Sequence, residues 1–148
     1  MANARLSGLD NEFYSQLLRE SDDGLRRMAV AACRYAVEKS SLPYPAILNA
    51  LKAMTDKKPL SQSEIAEMGK LVAALDAFHI GTDIRDRDKH GKTDTLSAKA
   101  AMFQAHAASA VFMAANSDPL FAALEAIYEA YLATGDWPAL KTILTSKK

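Results

Sequence analysis

Few residues in this chain have the type and spacing to do chemistry. From Asp86 the sequence reads DRDKHGKTDTLS, with Asp86, Asp88, His90, Gly91 and Asp94 at the first, third, fifth, sixth and ninth places of a calcium loop. Such a loop closes with a bidentate glutamate at the twelfth place, because a large hard cation needs six or more oxygens. Here Ser97 stands there, and the imidazole of His90 suits calcium poorly, so the segment reads as a solvated or partner-contacting loop and no metal is assigned. Asp76, His79 and Asp83 are spaced to share a helix face, but without a second histidine the pattern lacks a zinc ligand set, and His79 reads as packed at a helix end. His106, with Gln104 and Ser109 nearby, reads as a hydrogen-bonded core histidine. Neither Cys33 nor Ser109 has a base at a nucleophile's spacing, and no glycine-rich phosphate loop occurs, so no catalytic residue and no cofactor are assigned.

Two further clusters favour structure over chemistry. Arg26, Arg27 and Arg34 alternate with Asp22, Asp23 and Glu38, which reads as a solvated, ion-paired face more readily than a phosphate ridge. Tyr128, Tyr131 and Trp137 with Glu125 or Glu129 have the composition of an aromatic, acidic surface, yet aromatics serve cores more often than interfaces.

The elements that must position these residues are helices. Apolar residues recur at helical spacing in seven segments, and no period-two run predicts a strand. Ser7 and Asp10 predict a first helix from about 9 to 20, and a second extends from Ser21 to about Lys39, ended by SSLPYP. A third starts near Pro45, and Ser61 with Glu64 forms a capping box for a fourth that Gly81 is placed to end near Ile80. Residues 82–95 then form an exposed charged loop, of a length that is usually functional. The fifth helix, about 97–116, is alanine-rich and apolar all round, as expected of an element with neighbours on every side. Asp118 and Pro119 start a sixth, Gly135 ends it, and a seventh follows Asp136. The expected fold is a single all-α domain over 1–148, a compact bundle of about six to seven helices around the alanine-rich helix.

Composition narrows the function classes. With 49% apolar and 24% charged residues the chain is globular, and 148 residues bury an adequate core without disulfides or metals. Eighteen basic and eighteen acidic residues cancel, which gives no general attraction to nucleic acid or to an anionic membrane. Locally the balance tips: no Lys or Arg falls between Lys99 and Lys141, while Asp118, Glu125, Glu129 and Asp136 do. A lone cysteine, an opening segment without a signal-like apolar run and the absence of a long apolar stretch predict a cytoplasmic protein.

The succession LRRMAVAACRYAVE, AILNALKAM, LSQSEIAEM, AKAAMFQAHAASAVFMAA and EAIYEAYL, over about residues 25–132, resembles the small, alanine-rich helical immunity proteins of bacterial polymorphic toxin systems. The resemblance implies stoichiometric inhibition: the protein binds a cognate toxin and covers its active site or substrate entrance, with no reaction of its own. Charge complementarity would speed such an encounter. On this reading the expected contacts are Asp83, Arg85, Asp86, Arg87, Asp88 and His90 in the charged loop, and Glu125, Glu129 and Asp136 facing a basic toxin. The other classes left open are an inhibitor or adaptor of a different host or phage protein, and a small metal-binding helical protein or enzyme.

Overall fold

Local capping chemistry sets most of the helix boundaries. The computed structural model describes the backbone of residues 4–90 and 96–146, and the side chains of residues 5–78 and 99–146. Among these residues there are eight helices and no strand: α1 (Ala4–Leu9), α2 (Asn11–Leu18), α3 (Asp22–Ser40), α4 (Pro45–Thr55), α5 (Gln62–His90), α6 (Leu96–Ala114), α7 (Pro119–Thr134) and α8 (Trp137–Thr145). The all-α bundle expected from the sequence is what forms.

The first helix expected near 9–20 forms as α2 over 11–18, and a further short helix, α1, precedes it. Asp10 sits at the break in extended conformation and its carboxylate accepts the Phe13 amide at 3.0 Å, so Asp10 is the N-cap of α2, while Ser7 lies inside α1. At α3 the Ser21 hydroxyl accepts from the Gly24 amide at 3.1 Å. The Ser61–Glu64 box forms reciprocally, with the Glu64 carboxylate accepting the Ser61 amide at 2.7 Å and the Ser61 hydroxyl accepting the Glu64 amide at 3.1 Å. Asp118 and Asp136 cap α7 and α8, and Gly135 ends α7 in the left-handed region at φ 68, its amide bonded to the Tyr131 carbonyl at 2.7 Å.

The clearest departure from expectation lies at Gly81. The helix does not stop there: α5 continues through His90, so residues 82–90 are helical where a loop was predicted, and 91–95 lie outside the described residues. An interior glycine costs a helix only about 1 kcal/mol, and the segment that follows contains no proline. Gly81 weakens the helix without ending it.

Helix α7 shares the central place expected for α6. It packs against α3 and α6 along its length and meets α1, α2 and α8 at its margins, while α6 lies against α3, α5 and α7. Alanine makes this crowding feasible: Ala32, Ala36, Ala107, Ala108, Ala123 and Ala126 are all fully buried. Their single methyls let three helix axes approach, and Phe13, Leu17, Ile47, Met68, Ile127 and Leu140 fill the gaps that remain. No helix among the described residues is long and apolar enough to cross a membrane.

Candidate functional site

Among the described residues the buried charged side chains are Glu125 and Glu129, only 6% and 7% exposed, and both belong to α7. A buried carboxylate costs several kcal/mol unless it is paired. The partner comes from α1: Nη2 of Arg5 lies 2.5 Å from Oε1 of Glu125 and 3.1 Å from Oε2 of Glu129. The guanidinium also covers the Tyr128 ring, 4.5 Å from its centroid. From α6, His106 places Nδ1 2.7 Å from the other oxygen of Glu129.

Burial pushes the Glu129 carboxyl up, but the His106 contact and then Arg5 outweigh it and hold the group below the usual carboxylate range. An ionised carboxylate cannot donate, so Nδ1 of His106 carries the hydrogen. Burial opposes the charge of Arg5 too, and Glu125 and Glu129 more than restore it. The four groups satisfy one another and tie α1, α6 and α7 together.

A second polar tie joins the start of α2 to α8. The Asp10 carboxylate, besides capping α2, accepts from Nε1 of Trp137 at 3.0 Å and from Nζ of Lys141 at 2.9 Å. Its carboxyl is drawn down to about 2, by the Phe13 amide first and by Lys141 next, against the opposing push of burial. Trp137 meets Phe13 edge to face at 5.2 Å, and Tyr131 at 6.4 Å, so the C-terminal aromatics pack on the core as the sequence favoured.

The surface feature with binding capacity lies elsewhere. A wide groove of about 1340 Å³ is walled by the end of α2, the outward face of α3, the α4–α5 turn and the ends of α6 and α8. Its apolar lining includes the half-buried Met28, Val30, Met54, Leu60 and Ile65 and the exposed Ile143. Arg26, Arg27, Arg34, Lys57 and Lys58 stand along it, against only Glu20 and Asp23. Two of these cations have internal work. Arg26 donates to the carbonyls of Ala114 and Ser117 at 3.1 and 2.8 Å, closing the end of α6, and Arg34 donates to the Thr55 hydroxyl at 3.0 Å. The side chains of Arg27, Lys57 and Lys58 make no hydrogen bond or ion pair among the described residues. The ion-paired face expected around the α3 arginines therefore does not form: none of the three bonds Asp22, Asp23 or Glu38.

The residues expected to contact a partner fall in three places. Asp83, Arg85, Asp86, Arg87, Asp88 and His90 all lie on the last turns of α5, where their side chains are outside the described residues. Glu125 and Glu129 point inward and are bonded by Arg5 and His106, so the acidic stretch they belong to is not an open acidic face. Asp136 is exposed, but its carboxylate accepts the Ala139 amide at 3.1 Å as the cap of α8. Among the described residues no group of three or more His, Cys, Asp or Glu is arranged to hold a metal ion. Cys33 is fully buried, and burial pushes its thiol far up, as expected of an inert core residue.

Sequence reasoning missed Lys57 and Lys58 as groove residues, and Arg5, whose partners lie 120 and 124 residues away. Comparison of the chain with family models, curated proteins and solved structures finds no match.

Proposed function

We propose that this chain is an immunity-type protein, which binds a cognate bacterial toxin in the cytoplasm and neutralises it by covering its surface. One observation supports the reading above the others: polar groups of the interior are spent on one another, whereas the groove beside α3 leaves apolar surface and three cations without internal partners. Such a surface serves binding and needs no reaction of its own. The exposed groove replaces the acidic face of α7 as the main contact, and the charged end of α5, from Asp83 to His90, remains a second candidate.

Co-expression with the product of the adjacent gene tests the proposal. The expected result is a 1:1 complex and restored growth of cells that express the neighbour. A neighbour that is toxic, and neither bound nor neutralised, refutes it.

A further inference from the structure

We infer that the groove between α3, the α4–α5 turn and α8 receives an acidic amphipathic helix from the protein partner. This rests on the binding reading above and adds the chemistry of the partner. Size comes first. Small-molecule pockets hold about 300–1,000 Å³, and this groove exceeds that range at about 1340 Å³. A helix about 11 Å across with a 5.4 Å pitch fills roughly 500 Å³ per turn, so between two and three turns fit if immersed, and about twice as many at half depth.

The lining selects the helix type. Met28, Val30, Met54, Leu60 and Ile65 form a half-buried apolar floor, and methionine adapts its shape to an incoming side chain. The rim is positive on a chain whose net charge is zero, so the excess is local. Glu20, one of the two acids, lays its carboxylate over Gly24 at the start of α3, and the five cations outnumber it and Asp23. Lys57 holds a left-handed backbone at φ 59, a conformation for which the chain alone would favour glycine, and so sets a long cation at the rim against local preference.

Nucleic acid fits less well. The aromatic residue of the lining, Phe13, is 1% exposed and offers no face on which a base could stack. A phosphate chain would also leave the apolar floor uncovered.

The test is fluorescence anisotropy on the full chain with a synthetic peptide of about 18 residues, carrying Leu or Met at i, i+3, i+4 and i+7 and Glu elsewhere. Controls are the same peptide with Lys for Glu and a single-stranded oligonucleotide. The acidic peptide should bind saturably, and Arg27→Glu/Lys58→Glu should weaken it about tenfold, as should a rise in salt from about 0.05 to about 0.5 M. Met28→Gln should weaken it without changing the salt dependence. These positions are exposed or half-buried, and an unchanged thermal melt shows that each variant folds. No saturable binding, equal binding of the basic peptide or oligonucleotide, or indifference to the charge reversals overturns the inference. If the peptide fails while the chain still neutralises a toxin, the groove assignment falls and the function stands. If the peptide seats in the groove and the toxic neighbour is not neutralised, the function falls and the groove remains.

Discussion

Arg5→Ala is the substitution whose consequences the structure defines most fully. It removes one guanidinium and strands Glu125 and Glu129, whose side chains are only 8% and 10% exposed. Breaking a fully buried pair costs about 3–5 kcal/mol. The side chain of Arg5 is itself 42% exposed, so solvent screens the interaction and replaces part of it, and about 2 kcal/mol is the discounted expectation. For a chain of this length that is a fall of about 4–8 °C in melting temperature. The loss should depend on pH. Glu129 is held below its unfolded value in the native protein, so its contribution is present above about pH 4.3 and disappears as pH falls through the lower folded value. Without Arg5 the Glu129 carboxyl loses part of what holds it down, while burial still pushes it up and His106 still opposes that push. The cost of the substitution should therefore shrink between about pH 7 and about pH 3. Urea melts at the two pH values measure it, and Glu125→Gln in the Arg5→Ala background should recover about 1 kcal/mol. A cost below about 0.5 kcal/mol at pH 7, or the same cost at both pH values, would refute the ion-cluster argument.

Asp10 supplies a second acid-sensitive tie. Its carboxyl stands near 2 when folded, so its stabilisation is complete above the unfolded value near 3.9 and is lost as pH falls towards 2. The whole shift corresponds to roughly 2.5 kcal/mol, which shallow burial and solvent screening reduce to about 1. Melts followed by Trp137 fluorescence should show that loss, and Asp10→Ala should abolish it. Ala126→Leu, at a fully buried site on the crowded central helix, should cost about 1–3 kcal/mol through overpacking, read in a urea melt. Cys33 should resist a thiol reagent in the native protein and react fully in denaturant; rapid native labelling would contradict its burial.

The structure shows which kinds of information the sequence carries locally. Caps were legible because their partners are two or three residues away: Ser61 with Glu64, Asp118 with Leu120, Asp136 with Ala139. The helical class was legible because apolar spacing repeats in every segment. The end of α5 was not, since Gly81 lowers helix stability by less than the rest of the segment supports. The inward turn of Glu125 and Glu129 was hidden for a different reason. A carboxylate on a helix surface looks solvent-facing until its partners are known, and those come from Arg5 on α1 and from His106 on α6. The hydrogen bond of His106 was foreseen, its acceptor was not. The groove was invisible because it is assembled from pieces of α2, α3, α6 and α8 with the turn after α4.

The Arg5 tie also sets an order of events during synthesis. Arg5 leaves the ribosome 120 residues before Glu125 and 124 before Glu129. At about 5–20 residues per second, that is a wait of roughly 6–25 s. During this interval α1 lacks the carboxylates that anchor it, and α3 lacks the alanine surface of α7. The nascent chain therefore holds its apolar faces open until α7 arrives. Chaperone demand should accordingly fall once residues 119–134 have cleared the exit tunnel.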